Sequence, residues 1–353
     1  MSPGKLENVA IQIVPYDQLS PVLQAQVQSF LANHPHNTIF QSPEMFTFYD
    51  KVNNFTPHYF IAIQEHAVVA VLLAVIIREY KGPLGFLSSR TVVYGGPVIT
   101  LTDNRTRVLN ELLTMMGEVL HSKSMFMQFR NFFLWTETEK AIFEHHGYHF
   151  RDRINLLIPT HTRQQILSSM KENRRRQVLK GLKQGTQLRP PASLQEVHKF
   201  YKLLYDLYKD KVRKPLPDWS FFKQFYHYSG MGKLGIIRLV VRDGQVIGGI
   251  LSPVTNNLNI YEWYVVGLDK EFPQHHSSIL ATWSAMEYAA HHQLHHFDLM
   301  GLGKPDEPYG VRDFKLRFGG DVVNYGRFGR RNYKHLYNFA EIAYNLLRHL
   351  KKV

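Results

Sequence analysis

The sequence predicts an α/β (α+β) protein of two domains in tandem, each a mixed, mostly antiparallel sheet flanked by helices. Two observations predict it. The chain has 353 residues, enough for two domains with separate cores. It also contains one order of elements twice: hairpin, strand, helix, strand. With 44% hydrophobic and 13% aromatic residues, the composition is that of an ordered globular protein.

The first copy begins at HYFIAIQE and AVVAVLLAVIIREY (residues 58–80), a strand pair around a tight turn. VVYGGPVI (92–99) is the third strand. Residues 103–121 have helical spacing, with Leu109, Leu112, Leu113, Met116 and Leu120 on one side. MFMQFRN (125–131) is the strand that follows. In the second copy, residues 233–254 form a hairpin turning at Asp243-Gly244, a dipeptide suited to a type I′ turn. NIYEWYVVG (259–267) is the third strand, 277–292 the helix and HFDLMG (296–301) the next strand. Helices precede each hairpin: 21–33 and 44–52 before the first, and 163–184, 194–209 and 219–228 before the second. The strand NLLIP (155–159) marks the boundary, so domain one is expected over 1–158 and domain two over 159–329.

The chain has no cysteine, which excludes disulfides, thiolate catalysis and cysteine metal sites. Its start has neither the basic region nor the apolar run of a signal peptide, and the longest apolar run, 67–77, is too short to span a bilayer. A cytoplasmic protein is expected, touching a membrane, if at all, from its inner face. The formal net charge of +13 favours polyanionic partners such as RNA, phosphorylated substrates or an anionic bilayer. The cations are concentrated in residues 170–189 and 327–353.

Nineteen histidines include HHQLHH (291–296), with His291 and His295 at helical ligand spacing. A strand begins inside that motif, no HExxH occurs, and no metal site is expected. The absence of a Gly-x-Ser-x-Gly elbow removes the serine-hydrolase reading.

The most informative stretch is PYGVRDFKLRFGGDVVNYGRF (308–328), with FDLMG (297–301) before it. Its core is Gly310, Phe314, Lys315, Phe318 and Gly319. This spacing resembles the C-terminal signature of the FemAB/FemX peptidoglycan-bridge aminoacyltransferases, which are built from two GNAT-like acyltransferase domains. The resemblance extends from residue 29 to the final helix. It implies tandem GNAT-like domains, with domain one on the acceptor side and domain two on the donor side. It also implies a last helix, here 330–353, that completes domain one. The activity implied is transfer of an aminoacyl group from aminoacyl-tRNA to an amine of a lipid-linked or nucleotide-linked cell-wall precursor, with no tightly bound cofactor.

Acyl transfer to an amine needs a base, donors for a tetrahedral oxyanion and a place for the donor's phosphates. Glu262, in the third strand of the second copy, on one face with Ile260 and Tyr264, is the leading base candidate; Asp298 in FDLMG is the second acid and Asp313 a third. Lys315, by resemblance, lies at the transfer site and stabilises anionic charge. Periodicity puts Phe314 and Phe318 on one helix face, with Lys315 and Arg312 pointing elsewhere. Tyr309 and Arg312 are further substrate-binding candidates. So are Arg175 and Arg176 in the basic run NRRRQVLKGLK (173–183), as a track for phosphates. In domain one the resemblance brings in Gln41, Phe46 and Lys51, with Lys51 as the phosphate contact although it falls about two residues from the family's register.

Acetyl-CoA-dependent GNAT proteins carry Arg or Gln, two residues, Gly, one residue, then Gly or Ala, where backbone amides hold pyrophosphate at a helix N-terminus. No such string occurs here. The corresponding place reads FPQHHSSILATW (272–283), where Ser277 and Ser278 are expected to cap the helix. Two rival readings stay open: a CoA-dependent N-acyltransferase acting on an amino sugar or amine, and a non-catalytic protein binding RNA or anionic lipid.

Overall fold

The computed structural model describes residues 10–13, 19–80, 82–212, 214–333 and 336. Within them the chain divides into two compact units. Unit one holds Met1–Asp50, Asn54–Arg151 and Tyr325–Val353, and unit two holds Lys51–Asn53 and Asp152–Asn324.

Unit one runs β1 (Ala10–Ile13), α1 (Pro21–Ala32), α2 (Pro43–Asp50), β2 (Phe55–Gln64), β3 (Ala67–Ile77), α3 (Pro83–Leu87), β4 (Arg90–Tyr94), β5 (Val98–Ile99), α4 (Arg105–Leu120), β6 (Phe126–Arg130), α5 (Glu137–His145) and β7 (His149–Arg151). The β2–β3 hairpin closes through Glu65 and His66, both at positive φ as a two-residue I′-type turn requires. α1 starts on Ser20, whose side chain accepts from Leu23 N–H, and α5 starts on a capping box of Thr136 and Glu139. The expected stripe on α4 is fully buried against the sheet.

Unit two runs β8 (Ile154–Pro159), α6 (Arg163–Ser169), α7 (Glu172–Leu182), β9 (Gln187–Arg189), α8 (Leu194–Leu207), α9 (Trp219–Gly230), β10 (Gly235–Arg242), β11 (Gln245–Thr255), β12 (Asn259–Tyr261), β13 (Tyr264–Gly267), α10 (Ser277–His291), β14 (His296–Asp298), α11 (Gly310–Leu316) and β15 (Asp321–Asn324). Asp243 and Gly244, at φ 47° and 76°, make the expected turn. Its sheet order is β15-β8-β14-β12-β11-β10-β9, with β13 paired to β11. Trp283, on α10, is fully buried in the core below this sheet.

The chain then returns to unit one through β16 (Arg327–Arg331), which lies between β6 and β7 and gives the order β1-β2-β3-β4-β6-β16-β7, with β5 paired to β3. Phe328 of this strand stacks on Phe143 at 4.0 Å between ring centroids and is fully buried.

Three sequence expectations change. The boundary falls at 151/152 and not 158/159, because β8 pairs with β14 and β15 inside the second sheet. The return falls at 324/325 and not 329/330, because β16 is a strand of the first sheet. The single helix expected over 163–184 is two, since Met170 between them has extended backbone at ψ 145°. The final helix over 330–353 lies almost wholly outside the described residues, of which 331–333 are not helical. No helix among the described residues is long and apolar enough to cross a membrane.

Candidate active site

The two units share a feature that the repeat alone does not reveal. In each sheet two strands run parallel for a few residues and then stop pairing. In unit one the pair is β4 and β6, ending at Tyr94 opposite Arg130. In unit two it is β12 and β14, ending at Tyr261 opposite Asp298. The last link is the same in both: Gly95 N–H donates to Arg130 O at 2.8 Å, and Glu262 N–H donates to Asp298 O at 2.9 Å. Glu262 and Asp298 therefore stand where unit one has Gly95 and Arg130.

Glu262 does not sit mid-strand as its sequence suggests. The strand breaks at Glu262 and Trp263, between β12 and β13, and Trp263 N–H turns to Leu251 O. The break aims the Glu262 side chain inward, where it is 4% exposed. One carboxylate oxygen lies 2.8 Å from Lys315 Nζ; the other accepts from the Thr282 hydroxyl at 3.2 Å.

Lys315 is correspondingly not on a solvated helix side. Its side chain is 13% exposed, and Nζ also donates to Leu299 O. Asp298 accepts from Met300 N–H at 2.7 Å and from Asn155 Nδ2 at 3.2 Å. Burial is the largest influence on its carboxyl and pushes the pKa from 3.8 to about 6, against those hydrogen bonds and the Lys315 charge; the Glu262 charge adds to the rise. Two acids and one ammonium thus share a buried centre at the mouth of the parting strands.

α11 is fixed by a residue that the sequence reading passed over. Arg174, on α7, is 1% exposed, and its guanidinium lies 4.3 Å from the Phe314 ring and 4.4 Å from the Phe318 ring. Its Nη2 donates to Phe314 O at 2.9 Å, next to Lys315. Phe314 and Phe318 do pack, edge to face at 5.7 Å, but Phe318 lies beyond the end of α11. Burial lowers the Arg174 pKa to about 10. The signal was present: Arg174, Val178 and Gly181 are the buried positions of α7, at the i, i+4, i+7 spacing of an inward face.

The other site candidates are placed as follows. Arg175 and Arg176 are exposed on α7, and Arg176 makes only a long 3.7 Å ion pair with Glu172. Arg312 is occupied with backbone: Nε donates to Leu302 O at 2.9 Å, Nη1 to Pro305 O at 2.8 Å, and Nη2 to Lys304 O. It orders the loop before α11, so its guanidinium is not presented to a substrate. Tyr309, 38% exposed, packs beside Gly303 of that loop, where an added Cβ would lie 3.2 Å from its ring. Asp313 is exposed on the first turn of α11.

Lys51 is exposed in the turn after α2, but Gln41 is fully buried. The Gln41 amide donates to Tyr94 O at 2.8 Å and Leu73 O at 3.3 Å, and accepts from Leu73 N–H at 2.7 Å. A Cβ on Gly96 would meet that amide at 2.5 Å. Gln41 ties the end of β4 to β3 and is not offered to a phosphate. Among the described residues, no group of three His, Asp or Glu is arranged to hold a metal ion.

Residues 168–315 match the family model described as an acetyltransferase (GNAT) domain. No curated protein sequence matches the chain. Among solved structures, FemX aligns with 94% of this chain and 99% of its own at a TM-score of 0.67 and 14% identity. A tandem GNAT protein from the clavulanic acid biosynthesis pathway covers 92% and 99% at a TM-score of 0.56 and 10% identity. L-PGS from Bacillus licheniformis covers 89% and 92% at a TM-score of 0.54 and 12% identity. Two mixed sheets, each with one pair of parting parallel strands, account for this likeness over nearly the whole length: the chain has a tandem GNAT fold of the FemX-like type.

Proposed function

We propose that this protein is an acyltransferase that passes an aminoacyl group from aminoacyl-tRNA to an amine of a cell-wall precursor, with its transfer centre in unit two. The observation that carries the proposal is the buried Glu262–Lys315 pair beside Asp298, where β12 and β14 part. A solvated binding face has no reason to bury three ionisable groups, since each loses hydration there. This disfavours the non-catalytic reading.

The amine attacks the ester carbonyl carbon of the donor, and negative charge develops on the carbonyl oxygen. Lys315 has three N–H donors, two of them directed at Glu262 and Leu299, which leaves one for that oxyanion. Glu262, held by Thr282, accepts the amine proton. The tetrahedral intermediate collapses with cleavage of the ester C–O bond, and the proton taken up by Glu262 passes to the leaving ribose oxygen, which regenerates the carboxylate. Asp298, whose carboxyl pKa is pushed up to about 6 by burial, is the second acid of the centre and is proposed to exchange protons with it. Arg175, Arg176 and Lys51 are the exposed cations proposed to meet phosphates of the tRNA and of a lipid-linked or nucleotide-linked acceptor. On this reading the protein works in the cytoplasm, in peripheral contact with the inner membrane face.

The match to an acetyltransferase domain favours a second reading, a CoA-dependent N-acyltransferase acting on an amino sugar or amine. One experiment separates the two. Purified protein is given lipid-linked muropeptide and either charged tRNA or acetyl-CoA, each with labelled acyl group, beside Lys315→Ala. Label arriving from tRNA and lost in the variant supports the first reading; label arriving from CoA replaces it with the second.

A further inference from the structure

The start of α10 is the place where a GNAT-type domain would seat the pyrophosphate of an acyl-CoA, and here a side chain of the protein already occupies it. Asp269 lies in the loop between β13 and α10. Its Oδ1 accepts from Ser278 N–H at 3.0 Å and from the Ser277 hydroxyl at 3.0 Å, and its Oδ2 accepts from the Ser278 hydroxyl. Ser277 and Ser278 are thus not the caps expected from sequence. They are donors to a carboxylate eight and nine residues earlier. The residue in the ordinary cap position, His276, has left-handed backbone and makes no side-chain cap.

Asp269 is held in this position. Leu268 N–H bonds to Ile247 O at 2.9 Å and Leu268 O accepts from Phe272 N–H at 2.8 Å, which fixes the turn around it. On the opposite side the helix start is pressed onto β13. A Cβ added to Gly267 would lie 2.1 Å from Ser278 N, and Ser277 is fully buried.

The surroundings are those of an anion. Arg174 is buried with its Nε and Nη1 making no hydrogen bond, and the Asp269 charge acts on it favourably. His276 feels Asp269, Lys180 and Arg174 together. A negative charge at a helix N-terminus is stabilised by the unpaired N–H groups and the helix dipole. The carboxylate supplies that charge from within the chain, so a diphosphate meets both an occupied donor and like-charge repulsion.

We propose that Asp269 is a specificity-determining residue: it closes the diphosphate seat of unit two and so excludes acyl-CoA and other diphosphate-linked donors from the transfer centre. The inference rests on the reading of unit two as an acyl-transfer domain, and it narrows the donor to one that does not present its diphosphate to α10.

The test reads binding without turnover. Coenzyme A and inorganic pyrophosphate are titrated by calorimetry into the full chain, into Asp269→Ala, and into Asp269→Asn, with thermal unfolding of each. Asp269→Asn keeps an oxygen for the Ser278 N–H and the Ser277 hydroxyl while it removes the charge and the acceptor of the Ser278 hydroxyl, so it remains informative if the alanine variant does not fold. The expected result is roughly tenfold tighter binding of both probes by Asp269→Ala, and a smaller gain in Asp269→Asn. Equal affinity in all folded forms overturns the proposal, as does wild-type protein that already binds coenzyme A as tightly as the variants. Failure here is distinguishable from failure of the transferase reading, because wild-type transfer from charged tRNA is measured separately and requires neither variant.

Discussion

Lys315 Nζ lies 2.8 Å from Glu262 Oε1 across a site where both side chains are almost out of solvent, 13% and 4% exposed. A pair in that setting is worth little against an apolar replacement of both partners, but removing one partner strands the other charge. Lys315→Met is therefore expected to lower stability by about 3 kcal/mol, and Lys315→Met with Glu262→Gln by less than that. Urea unfolding of the two variants and the wild type checks the order.

The same pair is expected to dominate turnover. Glu262→Gln keeps the Thr282 contact and removes proton acceptance, so transfer should fall roughly 10²-fold or more with the donor's KM little changed. A change confined to KM would assign Glu262 to binding.

Asp298 sets a pH dependence. Its folded pKa, about 6, is above the ordinary 3.8, so the folded state holds its proton more tightly than the unfolded state. Stability from this group falls as pH rises from near 4 to near 6 and is level outside that window. Asp298→Asn should remove this slope, worth roughly 3 kcal/mol at most. Unfolding midpoints of both proteins from pH 4 to 8 read it, and a wild-type profile parallel to the variant's would refute the assignment.

Arg174 couples the basic helix to the lysine that it does not touch. Arg174→Met should cost about 2 kcal/mol through lost ring contacts and the bond to Phe314 O. Arg174→Lys keeps a cation between the rings and should recover part of this. Thermal unfolding checks the ranking. Arg175→Ala and Arg176→Ala, at exposed positions, should leave stability within about 0.5 kcal/mol.

Gln41 has the opposite profile to Glu262. Gln41→Leu removes three hydrogen bonds that the buried amide makes with Tyr94 O and the Leu73 backbone and should cost roughly 3 kcal/mol. Its effect on kcat should be small, because unit one has Gly95 and Arg130 where unit two has Glu262 and Asp298. Paired measurement of unfolding and single-turnover rate decides it.

By itself the sequence determined the tandem repeat, the Asp243-Gly244 hairpin and the buried stripe of α4, which follow from local rules: side-chain period and turn chemistry act over a few residues. It also named Glu262 and Asp298 as candidate acids, and the family resemblance added Lys315. The tertiary structure decided the rest. Arg174 and not its neighbours is buried, because α7 turns that one position onto Phe314 and Phe318. Glu262 faces inward because its strand breaks where β12 leaves β14, and Lys315 reaches it from a helix more than fifty residues later. Arg312 spends its donors on a loop, and Asp269 closes a helix from eight residues upstream. β8 joined the second sheet and β16 the first through partners distant in the chain. Each of these depends on which polar groups meet after collapse. A buried donor or charge takes the partner that folding brings to it, and residue order alone does not name that partner.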